Sequence, residues 1–285
     1  RFLKYLLPLF LFTSPSVAAD SMMLHGAIHA DRDISAAAFF DNMLVIGSDE
    51  ADGKDNNENY IQLLDKQGDD AGQPDILIYR GNKEEGRELD IEGIAVDSNH
   101  VYVIGSHALA RKRLKPGLSY EQNLKRLQSS KPEPGRKQLF QLTLRSSGEI
   151  IKKAQISLAG IIQNDPLLTP FASLPSKENG IDIEGIAVKD GLIYLGFRGP
   201  VLRDGFAPVM QFDFDHPESS YRLLYLNLEG RGIRDMTTVS DGFLILSGPV
   251  RSEERRVGTE STPRGSTQHQ NEKLQLKVCV MSRRV

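Results

Sequence analysis

The chain has 285 residues, of which 39% are apolar and 26% charged, with a formal net charge of −3. That size suits one large globular domain or two small ones, and the charge argues against a nucleic-acid binder, which would carry a strong basic excess. Cys279 is the single cysteine, so no internal disulfide can form.

Residues 1–19 read as a secretory leader. Arg1 and Lys4 precede a mostly apolar run, and Val17-Ala18-Ala19 supplies small residues for cleavage. The run is short for a membrane span, and a buried N-terminal helix is the alternative. The expectation is a periplasmic or secreted protein with no membrane span after removal of the leader.

The next segment, Asp33 to Ala38 and then Met43 to Gly47, reads as a β-hairpin turning at Asp41-Asn42 and ending in Ser48-Asp49-Glu50. Tyr60 to Leu64 and Ile76 to Tyr79 follow as two further strands. The acidic loop Asp49 to Asp55 misses the spacing of a calcium-binding EF-hand and reads as a solvated turn.

Asp90-Ile-Glu-Gly-Ile-Ala-Val96 is then repeated, letter for letter, as Asp182-Ile-Glu-Gly-Ile-Ala-Val188. Each copy turns into a second apolar strand, Val101 to Gly105 and Leu192 to Gly196. Each second strand ends in a polar cluster, Ser106-His107 and Phe197-Arg198-Gly199. Two more strands follow each hairpin: Gln138 to Leu144 and Glu149 onward, then Val209 to Phe214 and Tyr221 to Leu226. A fourth hairpin begins at Gly232-Ile-Arg-Asp-Met236. Aligned on its Ser240-Asp-Gly242 turn, Asp235 takes the place of Glu92 and Glu184.

A hairpin plus two strands, repeated, is the signature of a β-propeller with blades of roughly 40–50 residues. The expected fold is an all-β propeller of four-stranded blades over residues 20–250, about four of them recognisable. A two-sheet sandwich is the alternative, but it leaves the repeat unexplained. The third and fourth strands of the last blade are not found before a polar stretch from Arg251. Residues 251–285 are therefore expected to be a non-native or disordered tail, leaving the ring incomplete with an open strand edge.

The insertion Arg111 to Lys137 is basic, with Glu121 and Glu133 its only acids. Ser119-Tyr-Glu-Gln122 fits a capping box, which predicts a short helix over Tyr120–Gln128. The insertion reads as a solvated loop or as a clamp for an anionic ligand or surface.

In a propeller the first strand of each blade lines the axis, so hairpin tips should meet at one mouth. The carboxylates of Asp90, Glu92, Asp182, Glu184 and Asp235 would repel one another there unless protons or a cation intervened. An all-oxygen set suits Ca²⁺ or another divalent cation; the alternative is that these acids cap strand ends or pair with arginines. Arg198, Arg203 and Arg234, with Asp49 and Glu50, are candidate ligand-binding residues, the arginines suiting a carboxylate or phosphate of a small anionic ligand. His107 is a candidate metal ligand or general base, or a structural histidine. No nucleophile elbow, zinc or phosphate-loop motif is present.

Together, Asp90-Ile-Glu-Gly with Gly105-Ser-His107, Ile183-Glu-Gly with Gly196-Phe-Arg198 and Pro200, and Gly232-Ile-Arg-Asp235 with Ser247-Gly-Pro249 resemble the DUF3616 family of bacterial proteins. The motifs are similar, more distantly, to the phytase-like esterase propellers. The first resemblance implies a propeller-like fold without a settled activity. The second implies, by analogy, a metal-dependent ester or phosphoester hydrolase. A ligand- or metal-binding or interaction module is the preferred reading and the hydrolase its alternative.

Overall fold

The computed structural model describes residues 22–250, apart from 30, 32, 53–56, 83, 85 and 132, together with the backbone of 277–282. The leader-like segment 1–19 and residues 251–276 and 283–285 lie outside the described residues, as does part of the Asp49 to Asp55 loop.

Strands β1 (Ile34–Phe40), β2 (Met43–Ser48), β3 (Glu58–Leu64) and β4 (Ile76–Arg80) form the first antiparallel sheet, in chain order. The second sheet begins with β5 (Ile91–Asp97) and β6 (His100–Gly105). A ribbon of β7 (Ala110–Arg111) and β8 (Ser130–Lys131) then encloses helix α1 (Tyr120–Gln128), and the sheet is completed by β9 (Leu139–Leu144) and β10 (Ile150–Ile156). Helix α2 (Ala159–Asn164) leads to the third sheet, built of β11 (Asp182–Lys189), β12 (Leu192–Gly199), β13 (Phe206–Phe212) and β14 (Arg222–Asn227), with α3 (Pro217–Ser220) before its last strand. The fourth sheet has β15 (Gly232–Val239), β16 (Gly242–Gly248) and β17 (Lys277–Ser282).

The hairpins turn because two residues separate their strands, a length whose favoured turn has positive φ at both positions. Asp190 and Gly191 meet that need, with φ of 54° and 74°. Strand periodicity then sorts side chains to opposite faces. Val101 and Val103 of β6 enter a core shared with the first sheet, beside Phe40, Ile61 and Ile78. Tyr102 and Ile104 enter a core shared with the third sheet, beside Ile183, Leu195 and Phe212. A third core joins Tyr194 and Val209 to Ile233, Phe243 and Ile245 of the fourth sheet. Three cores in series between four sheets make a propeller-like stack and exclude the two-sheet sandwich.

The first strands pack consecutively, β1 on β5, β5 on β11 and β11 on β15. The repeated Glu-Gly step permits this close approach. A Cβ on Gly93 would stand 2.7 Å from Cγ2 of Ile186, and one on Gly185 would stand 2.9 Å from Cγ2 of Ile233. No packing of comparable extent joins β15 to β1 among the described residues.

Helix α1 occupies the predicted span, with the Ser119–Gln122 capping box formed in both directions. One expectation is corrected. The fourth sheet does have a third strand, β17, which pairs antiparallel with β16 from within the stretch assigned to a tail. Between the second and third sheets, Ile161 and Ile162 of α2 join the second core. Among the described residues no helix is long and apolar enough to cross a membrane.

Candidate metal centre

Each first strand begins with a β-bulge, which places one extra residue on the strand and re-aims its side chain. The pairing register breaks between Ile34 and Ala36, Ile91 and Gly93, Ile183 and Gly185, and Ile233 and Asp235. The bulged residues are therefore Ser35, Glu92, Glu184 and Arg234. This corrects the alignment that set Asp235 beside Glu92 and Glu184, because Arg234 holds that position. The error comes from the turns. Lys189 faces Leu192, but Val239 faces Gly242, so Gly242 already belongs to its strand whereas Gly191 is still in the turn. Asp235 is exposed, and its carboxylate accepts the Met236 N–H at 2.7 Å.

The second strands carry the same one-residue offset. Ile91 faces Gly105 while Ile183 faces Phe197, so Ser106, and not His107, corresponds to Arg198. His107 comes one residue later, at φ 56°, and is 3% exposed. Its Nδ1 lies 2.9 Å from the Gly105 carbonyl. The ring lines a small cavity with Lys137, Ile162 and Gln163, away from the acids. Burial, opposed by the Gly105 contact and reinforced by Lys137, pushes its pKa down to about 4.

Glu92, Asp182 and Glu184 each offer a carboxylate oxygen within 4.8 Å of the others. Asp182 and Glu184 are buried and balanced by arginines. Arg198 donates through Nη2 to Asp182 and pairs through Nη1 with Glu184. Arg234 Nη1 lies 3.2 and 3.1 Å from the two Glu184 oxygens, and its Nη2 donates to the Pro249 carbonyl at 2.9 Å. Glu92 has no hydrogen bond or ion pair among the described residues. Its own blade supplies Ser106 where the next supplies Arg198, and both Nη groups of Arg198 are already engaged.

The electrostatic outcome follows. Burial, then Asp90, Glu184 and Asp182, push Glu92 up to about 10. Burial pushes Asp182 up to about 7 against the pull of Arg198, and it also raises Glu184 despite both arginines. Two carboxylates at this spacing repel by about 3–4 kcal/mol at an effective dielectric near 20. The cluster must therefore take up a proton or a cation.

Asp90, at φ 58°, stands outside this triad. Its carboxylate is met by the Ser106 hydroxyl and by Arg136 Nη1 at 3.0 Å. Arg136 also binds Glu88 at 2.7 Å and pairs with Glu133. No motif pointed to this network, since Arg136 and Glu133 lie in the insertion read as a solvated loop or an anion clamp. Asp49 and Glu50 lie near enough to Asp90 to be raised, each first by burial and then by neighbouring acids. Arg203 is not brought to the mouth. Its side chain is 95% exposed and 3.9 Å from Asp204, at the rim of an apolar groove with Phe171, Phe206 and Tyr225.

A family profile described as "Protein of unknown function (DUF3616)" matches residues 33–258. The structure is similar to one titled "Structure of Dos1 propeller", at 10% identity and a TM-score of 0.32, covering 76% of this chain and 53% of that one. The chain thus spans about half the length of that propeller. It is also similar to the computationally designed Ika8 protein, at 11% identity and a TM-score of 0.25, covering 79% of this chain and 70% of that one. No curated protein shows detectable similarity.

Proposed function

The chain belongs to the DUF3616 family, and from that premise we propose that it is a cation-binding module, its ligands being Glu92, Asp182 and Glu184. The observation that carries the reading is the convergence of these three carboxylates around a Glu92 that no arginine neutralises. Arg198 and Arg234 offset Asp182 and Glu184, so Glu92, once ionised, has no ion-pair partner of its own among the described residues and needs a cation. Asp49, Glu50, Glu88 and Asp90 add acid excess around it. All-oxygen donors favour a hard cation such as Ca²⁺ or Mg²⁺, with water completing the coordination shell. The hydrolase alternative receives no support from the geometry, because His107, its candidate base, faces the cavity beside α2 and not the triad.

Thermal melts with and without Ca²⁺, Mg²⁺ and Mn²⁺ test the proposal. A cation at about a hundred times its Kd adds about 2.7 kcal/mol, which for a domain of this size raises Tm by about 5–10 °C. Glu92→Gln should abolish the shift. A wild-type melt indifferent to all three cations would overturn the reading.

A further inference from the structure

The insertion between β6 and β9 projects a surface that the rest of the fold leaves uncovered. Helix α1 buries none of its residues. Tyr120, Leu124 and Leu127 are 75%, 37% and 43% exposed, and their spacing puts them on one helix face. Leu114 and Leu118, in the preceding turn, are 55% and 37% exposed. A nine-residue helix is marginal by itself, and this one is fixed by polar contacts in place of a core. The capping box starts it. The Asn123 side chain donates to the carbonyls of Lys115 and Leu118 at 3.2 and 3.3 Å, and Arg126 Nε donates to the Arg113 carbonyl at 2.6 Å. Arg111 anchors the ribbon to Glu178 and to the Leu127 carbonyl.

Charge identifies the occupant. Between Arg111 and Lys131 the arm has seven cations, Arg111, Lys112, Arg113, Lys115, Lys125, Arg126 and Lys131, against Glu121 alone, in a chain whose net charge is −3. Lys112, Lys115 and Lys125 make no ion pair among the described residues. Glu121 is engaged by the Ser119 hydroxyl at 2.8 Å. An apolar face of leucines and a tyrosine, with lysines off that face and in the preceding turn, has the composition of a helix lying in a lipid interface, where tyrosine is at home with one apolar and one wet end. The apolar face is only two turns long. Mobile anionic headgroups can gather around its lysines at any spacing, whereas a protein partner would need carboxylates placed to match.

We propose that this arm docks the protein on an anionic lipid surface, with Tyr120, Leu124 and Leu127 at the acyl boundary and Lys112, Lys115 and Lys125 among the headgroups. The test is co-sedimentation of the full chain with vesicles of equal parts phosphatidylglycerol and phosphatidylcholine, against phosphatidylcholine alone. Binding should be confined to the anionic vesicles and fall steeply with added salt. K112A/K115A/K125A should weaken it about a hundredfold, since each basic residue near such a surface contributes about fivefold. L124S/L127S should weaken it about tenfold or more. Both variant sets change exposed side chains, so their melts should match the wild type. Absence of vesicle binding, equal binding to neutral vesicles, or binding unchanged in both variant sets would overturn the proposal. Capture of an acidic protein without vesicle binding would reassign the arm and overturn the lipid reading as well.

Discussion

The heptapeptides Asp90–Val96 and Asp182–Val188 are identical in sequence and both bulge at their glutamate, yet they end in different electrostatic states. In the later copy Asp182 and Glu184 share Arg198, and Glu184 gains Arg234 from the following bulge. In the earlier copy Asp90 is held by Ser106 and by Arg136 from the insertion, while Glu92 has no hydrogen bond or ion pair among the described residues. The motif places carboxylates at a mouth. What faces it, from the neighbouring strand and the next blade, decides whether each carboxylate is neutralised or remains available.

Arg198→Ala should break this comparison most severely. It strands Asp182, 1% exposed, as a buried unpaired acid and leaves the buried Glu184 with Arg234 alone, at a cost of about 3–5 kcal/mol. A urea titration should show that loss in midpoint. The matching change in the earlier copy, Ser106→Ala, removes a hydrogen bond to a carboxylate that Arg136 still holds and the one that the hydroxyl accepts from the Ala108 N–H, and it should cost less, about 1–3 kcal/mol. Equal losses for the two would mean that the copies are electrostatically equivalent.

Gly93→Val tests the packing that the copies share. Its Cβ would meet Ile186 at 2.7 Å and Ile104 at 3.2 Å, an overpacking worth about 1–3 kcal/mol, read as a lowered Tm.

Glu92→Gln sharpens the comparison in the opposite direction. Glu92 binds its proton more tightly in the folded chain than in the unfolded one, with a pKa near 10 against 4.5. Its contribution to stability is therefore complete below pH 4.5 and is lost as the pH rises toward 10. In chelator the variant should gain about 1–3 kcal/mol near neutral pH and show a flatter stability–pH curve across that window. A loss of stability in the variant would mean that Glu92 is already paired.

Much of the fold was legible in the sequence. The repeated heptapeptide, the Gly and Asp turns and the alternating apolar residues gave the hairpins and their order, and Ser119-Tyr-Glu-Gln122 gave α1. The bulges were not legible. A bulge adds one residue without leaving a signature letter, so alignment on Gly242 moved Asp235 into the place of Arg234, and alignment on Gly105 moved His107 toward that of Arg198. Glu92, Asp182 and Glu184 were readable because the repeat carries them on matched positions. Arg136 was not, because the contact that buries it joins residues far apart in the chain. Strand β17 escaped notice because its partner β16 lies across a polar stretch with no β periodicity.

The central claim is that the triad between the second and third blades holds a cation through Glu92. Anomalous diffraction from a crystal grown with Ca²⁺ tests it most directly. The account predicts a peak bonded to oxygens of Glu92, Asp182 and Glu184 at about 2.3–2.6 Å, absent in Glu92→Gln. A peak at Asp90 and Asp49 with none at Glu92, or an empty mouth in saturating Ca²⁺, would contradict it.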